Sequence, residues 1–247
     1  METRKKKSPI LLKDMARQHL SGNYKTMVLA YFITVLIMGI PLQLLQSLLN
    51  LNSAGGSAIY MIAYIILSLL AAVFVLGQNH LYLNITRGRI FQLSDMWYGF
   101  RNHADTAILA SLIIALKTLA AGIPFIISLC VVLATRNYYI APLAGVTCSV
   151  FLIFTVYFQL TYSQVLFLML DFPEESATEL LAHSARLMKG NRLRLFYLQV
   201  SFWGLILLGG MSLYIGLFWV MPYRNMTMTE FYEDICSYRR HSDRRFS

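Results

Sequence analysis

No Asp, Glu, Lys or Arg stands between Lys25 and Arg87, and none stands between Arg136 and Asp171. Charge-free stretches of that length constrain the fold more than any motif in the chain. A bilayer core about 30 Å thick is crossed by about 20 apolar helical residues, each rising 1.5 Å. Only 13% of the residues are charged, against about 25% in an ordinary soluble domain. The mean hydropathy of +0.56 agrees. The chain reads as an all-α, polytopic membrane helix bundle.

The apolar runs predict about six transmembrane helices, over 24–49, 58–83, 104–133, 138–170, 193–208 and 212–231. Lys and Arg accumulate on the cytoplasmic side of membrane helices. With both termini and the second and fourth loops inside, every basic residue of the 21 except Lys117 and Arg136 falls on that side. The net charge of +9 is therefore assigned to membrane-flanking loops, and nucleic acid is not expected as a partner. The last two runs are the least separated. Residues 195–221 would also serve as one span, leaving five helices and a C-terminus outside. Gly209-Gly210 supplies a tight turn between two shorter helices, and the charge rule favours six.

A threefold pattern appears at the cytoplasmic elbows. Ser8-Pro9 opens an amphipathic stretch, with Ser as N-cap and Pro at the first helical position, and Gly22-Asn23 closes it. Pro173 and Glu174-Glu175 open a second, which Gly190-Asn191 closes. Ser94-Asp95 opens a shorter third, ending at Gly99 to Asn102. Each precedes an odd-numbered span, as an interfacial helix lying along the surface. The implied organisation is a basic N-terminus with an interfacial helix (1–23), a membrane domain (24–235, interfacial helices near 94–102 and 173–190) and a basic tail (236–247). Arg4 to Lys7 resemble the basic start of a signal peptide, but no small-residue cleavage site follows, and none is expected.

Ionisable groups inside a bilayer are costly and are default functional candidates. Lys117 is the one charge deep in a predicted span, about 20 Å along its helix. It reads either as a cavity-lining cation for an anionic substrate or as a lysine that snorkels to the surface. A polar set is expected in the inner half: Gln78, Asn79 and His80, then Gln159 and Gln164, then Gln199, with Arg224 reaching in from the sixth span. It reads as a vestibule or, preferred here, as interhelical hydrogen bonding. Pro41, Pro124 and Pro142 each remove a helical hydrogen bond. Ala141/Gly145 and Ser212/Gly216 have the small-xxx-small spacing of close helix contacts. Cys130, Cys148 and Cys236 show no metal or disulfide spacing, and His80 has no second ligand at helical spacing. No metal, cofactor or enzymatic role is expected, because no catalytic motif is present.

Three segments carry a resemblance: Leu93-Ser94-Asp95-Met96-Trp97-Tyr98-Gly99-Phe100-Arg101-Asn102, Ser184-Ala185-Arg186-Leu187-Met188-Lys189-Gly190-Asn191, and Gly216 to Tyr223 followed by Phe231-Tyr232-Glu233-Asp234. With Ala16-Arg17 through Gly22-Asn23-Tyr24, they resemble a bacterial integral-membrane family known as domain of unknown function 975. The likeness is weakest from Gly122 to Asp171. It implies a multi-span protein of the bacterial cell membrane and carries no activity with it. Two roles remain open. One is a transport or translocation component for a small amphiphile or peptide, with a polar cavity at Lys117 or Arg224. The other is a non-catalytic scaffold or regulator that binds a membrane or cytoplasmic protein through Glu230 to Asp234 and the basic tail. The basic elbows also suit anionic lipid, at about 1 kcal/mol per charge.

Overall fold

The computed structural model describes residues 6–135, 139 and 141–243; Arg4, Lys5, Arg136, Tyr138, Arg244 and Arg245 lie outside them. Every regular element among the described residues is a helix. The long ones are α2 (Tyr24–Leu48), α3 (Ala54–Thr86), α5 (Ala104–Thr135) and α6 (Ala141–Tyr162). α1 (Pro9–Leu20), α4 (Tyr98–Arg101), α7 (Val165–Asp171) and α8 (Ala177–Leu187) are short, as are α9 (Arg192–Val200) and α10 (Trp203–Met211). α11 (Leu217–Asp243) closes the chain.

Five stretches are long and apolar enough to cross a membrane: Tyr24–Leu48, Ala54–Thr86, Ala104–Thr135, Ala141–Asp171 and Arg192–Met211. Between 6% and 22% of each is buried within the chain, so their hydrophobic surface faces outward instead of filling a shared core. That is the arrangement of a membrane bundle, in which lipid covers what water would not. The sixth expected span is not among them. α11 has 27 residues, but its apolar run ends at Tyr223, and Thr227, Thr229, Glu230 and Asp234 are buried polar groups beyond it.

α2 packs on α3, α3 on α5 and α5 on α6, forming a row. The conventional core lies at one end of that row. There Leu12 and Leu20 of α1, Leu76 and Leu81 of α3, Leu168 of α7, Leu180 of α8, Leu198 of α9 and Tyr232 of α11 are all buried together. α1 packs against α11, so the first and last described helices meet at this basic end.

The three elbows share one local device. Asn23, Asn102 and Asn191 each donate a side-chain hydrogen bond to the carbonyl four residues earlier, on His19, Tyr98 and Leu187, at 3.2, 3.1 and 3.0 Å. Gly22 and Gly190 precede two of them with φ of +88° and +79°, a conformation that glycine adopts without a Cβ clash. Gly99 does not do this. It is buried, and a Cβ there would strike the Val73 carbonyl oxygen of α3. The middle elbow opens as a 3₁₀ turn, Leu93–Trp97, with the Gln92 amide donating to Asp95 at 2.9 Å.

α8 begins later than Pro173. Ser176 is its N-cap, paired in a capping box with Glu179. The Ser176 amide and hydroxyl both donate to the Glu179 carboxylate, at 2.8 and 2.7 Å, and hold it below the ordinary carboxyl range. A depressed pKa contributes stability at neutral pH that is lost as pH falls through the carboxylate range. Ser176→Ala is expected to lower the thermal midpoint by roughly 2–4 °C at pH 7. Melting in detergent at pH 7 and pH 4 checks it, since the difference from wild type must shrink at the lower pH.

The prolines and small residues behave individually. Pro41 and Pro124 lie inside α2 and α5. Pro142 sits in the first turn of α6, where no amide partner is lost, and so breaks nothing. Gly145 faces open space, so the Ala141/Gly145 pair makes no helix contact within the chain. Ser212/Gly216 does. A Cβ on Gly216 would come within 2.9 Å of the Gly209 Cα, and one on Gly209 within 3.2 Å of the Leu217 amide nitrogen. The chain reverses at 212–216, not at Gly209-Gly210, which belong to α10. Leu213 and Tyr214 take φ of 53° and 65° there. The Ser212 hydroxyl donates to the Gly209 carbonyl at 2.7 Å and accepts from the Gly216 amide at 2.9 Å.

Candidate functional site

α6, α9, α10 and α11 bound an open-sided cavity of about 400 Å³, within the size range of small-molecule sites, roughly 300–1,000 Å³. Helical spacing builds its walls. Val156, Gln159 and Leu160 come from one face of α6, Phe196, Gln199 and Val200 from α9, and Met221 with Arg224 from α11. Trp203 and Ile206 of α10 complete it. Among the described residues Arg224 has neither an ion pair nor a hydrogen bond. Every other lining group is neutral. The cavity therefore presents one guanidinium, two amides and an apolar wall, which is the chemistry of a site for an anion carrying a hydrocarbon part.

The expected polar set is divided by the fold. Gln159, Gln199 and Arg224 share this cavity. The α3 residues lie elsewhere. Gln78 donates to the Thr34 hydroxyl at 2.6 Å, and His80 stacks on Tyr98 with ring centroids 4.1 Å apart and lies 3.4 Å from the Asn84 amide. Asn79 is half-buried on the same helix. Gln164 stands at the break between α6 and α7, donating to Ser163 at 2.9 Å. Lys117 is exposed on α5. Its ammonium donates to the Tyr162 hydroxyl at 2.9 Å and lies 4.7 Å from that ring's centroid, outside the cavity.

The charges at the basic end form a network that sequence reasoning did not anticipate. Arg87, the residue after α3, makes a bidentate pair with Asp171 at 2.7 and 2.8 Å and reaches Glu233 at 2.6 Å. The Tyr232 hydroxyl donates to Asp171 at 2.8 Å. Burial works against the Arg87 charge, but the two carboxylates outweigh it and raise its pKa above the ordinary value. Burial likewise pushes the Tyr232 phenol up. Glu230 is held by His19 at 2.6 Å and Thr86 at 3.2 Å, and Asp234 by Arg194 at 2.5 Å. The 230–234 segment thus spends its acids inside the chain: Glu230 and Asp234 are only 1% and 2% exposed. A hollow of about 620 Å³ borders Arg87 and Glu233, but there the carboxylates already have cationic partners.

The family model described as "Protein of unknown function (DUF975)" matches residues 1–239. The chain belongs to DUF975. The match spans the elbows, the long helices and the Arg224 cavity, so all of these lie within the DUF975 region. Comparison with curated proteins and with solved structures returns no match.

Proposed function

We propose that this DUF975 protein is a transport or translocation component for a small anionic amphiphile, whose headgroup is held by Arg224 and whose hydrocarbon lies along Val156, Phe196 and Ile206. The observation that carries this is an arginine with no ion pair or hydrogen bond among the described residues, facing an open-sided, otherwise neutral cavity. A buried or half-buried charge without a partner is costly unless something answers it. The protein sits in the cell membrane with both termini on the cytoplasmic side, a placement supported by the basic residues gathered at one end of the bundle. Anionic lipid headgroups are attracted there.

Dodecyl phosphate and its zwitterionic counterpart dodecylphosphocholine separate the charge contribution from the chain contribution. Purified protein is expected to bind the first more tightly, and Arg224→Gln to weaken that binding by about tenfold or more, the scale of a charge-assisted hydrogen bond. Lys117→Ala, outside the cavity, is expected to leave it unchanged. Equal affinity of wild type and Arg224→Gln for dodecyl phosphate would remove the proposal. The scaffold reading draws on the pairing of Gln78 with Thr34 and of Ser184 with the Thr161 carbonyl, polar groups that answer one another within the chain. It predicts no binding of either probe and no flux of a fluorescent anionic lipid in proteoliposomes.

A further inference from the structure

The stretch Arg192–Met211 is long enough to cross a membrane, but the structure divides it. α9 and α10 have nine residues each and are separated at Ser201 and Phe202. The dividing point is fixed to the interfacial helix α1. The Lys13 ammonium donates to the Ser201 carbonyl at 3.3 Å and lies 4.4 Å from the centroid of the Phe202 ring. At the other end of α9, Arg194 is paired with Asp234 and with the Lys7 carbonyl. All of α9 is therefore held in the basic layer, and only α10 leaves it.

α10 rises for nine residues, about 13 Å, before the chain reverses at 212–216. α11 then returns. Five residues after the turn's last glycine, Phe218 having packed 5.8 Å from Tyr31 and 5.6 Å from Phe32 of α2, the helix reaches Met221. Tyr223 is back at the level of departure. It lies 5.2 Å from the Phe202 ring and under the Arg17 guanidinium of α1 at 5.3 Å. Phe32 is eight residues into α2, about 12 Å from its start. Both routes give the same depth, less than half of a hydrocarbon core about 30 Å thick. The close approach at Gly209 and Gly216 locks the two arms together.

We infer that α10 and the first turns of α11 form a re-entrant hairpin. It enters the leaflet at the chain's basic end, is covered there by acyl chains, and returns to the same face, so that only α2, α3, α5 and α6 cross. The tip has the surface such a partner requires. Leu208, Met211 and Leu213 are 64%, 82% and 83% exposed, and no charged residue stands between Arg194 and Arg224. The base has the aromatic and basic belt of an interface, with Trp203, Trp219 and Lys25 around it. The Tyr24 hydroxyl donates to the Trp219 carbonyl at 2.7 Å, tying the returning arm to the first residue of α2. This topology stands whether or not Arg224 binds an anion.

The test places single cysteines at Leu213→Cys or Tyr214→Cys in the full chain reconstituted in phosphatidylglycerol/phosphatidylcholine vesicles, with the three native cysteines changed to serine. Ile90→Cys, at an elbow of the basic end, and Asn52→Cys, in the α2–α3 turn at the opposite end, serve as references. Impermeant maleimide is expected to label each reference from its own face, with labelling of both tip positions lost from either face. A nitroxide at the tip is expected to be accessible to oxygen and shielded from an aqueous nickel chelate, at about 13 Å from the basic-end interface. Labelling of the tip from the Asn52 face would show a full crossing. Ready labelling from the Ile90 face would place the hairpin outside lipid, and a nitroxide shielded from both oxygen and nickel would put a second copy of the chain on the tip. Any of these three results overturns the proposal.

Discussion

Gly77→Val is expected to remove most of the folded protein, at a cost of roughly 3 kcal/mol or more. A Cβ on Gly77 would fall on the carbonyl oxygen of Met96, and one on Gly99 would fall on the carbonyl oxygen of Val73. Both obstacles are backbone. Overpacking against side chains costs about 1–3 kcal/mol because those side chains can turn aside; a carbonyl fixed in a helix or a 3₁₀ turn cannot. Relief requires the whole elbow, 93–101, to lift from α3. That would undo the contacts of Phe74 with Trp97 and Phe100 at 5.3 and 4.7 Å and the stacking of His80 on Tyr98. Gly99→Val should act the same way. Gly145→Ala is the contrast, since nothing lies within 4 Å of a Cβ there and alanine favours a helix by up to about 1 kcal/mol. The monodisperse fraction on size exclusion and the thermal midpoint in detergent read all three. A midpoint for Gly77→Val within about 2 °C of wild type would mean that the elbow is not seated on α3 as described.

The same comparison shows where sequence reasoning stops. Gly77 and Gly145 both lie inside long, mainly apolar helices, and the approach of a segment 19 residues away is what makes the first irreplaceable. What is local was readable. Ser8 caps α1, accepting from the Leu11 amide at 3.3 Å, and Gly22-Asn23 and Gly190-Asn191 end their helices as their backbone preferences dictate. The long charge-free runs also declared themselves, because helix length against bilayer thickness needs no partner. The hairpin was readable in part: two short runs joined by a turn are expected near Gly209-Gly210, and the chain turns at 212–216. The break at Ser201 and Phe202 was not readable, because the stretch Arg192–Met211 has the length and composition of a span and the break is tied to Lys13 of α1, far away in the chain. The polar set is divided for a related reason. Depth along a helix can be counted, but which helices are neighbours cannot. With α2, α3, α5 and α6 in a row, Gln78 turns to Thr34 of α2 and Gln159 to the cavity beside α9. Arg224 and its two glutamines meet only because α9 and α11 fold back beside α6.

Arg87→Ala is expected to cost about 3 kcal/mol and to lower the thermal midpoint by roughly 6–12 °C. Removing one partner of a buried ion pair leaves the other charge uncompensated, typically at about 3–5 kcal/mol. The lower end applies because the Arg87 side chain keeps 20% exposure, with Asp171 at 11% and Glu233 at 26%. The effect is more than local. Arg87 caps the end of α3, Asp171 ends α7 and Glu233 lies on α11, so one guanidinium joins three elements from opposite parts of the sequence. Lysine cannot replace it, since a single ammonium does not span both oxygens of Asp171 while also reaching Glu233; Arg87→Lys should recover less than half of the loss. Tyr232→Phe should cost less, near 1 kcal/mol, for one hydrogen bond to Asp171. The phenol's pKa is raised in the folded chain, so its contribution is complete below the unfolded value of about 10 and is lost only as pH climbs beyond that. The wild-type and Tyr232→Phe midpoints should therefore stay a constant distance apart from pH 6 to about 9. If Arg87→Ala melted with wild type, the Arg87 pairs would contribute nothing, and α11 would have to be held at the basic end by apolar packing and by its pairs with His19 and Arg194.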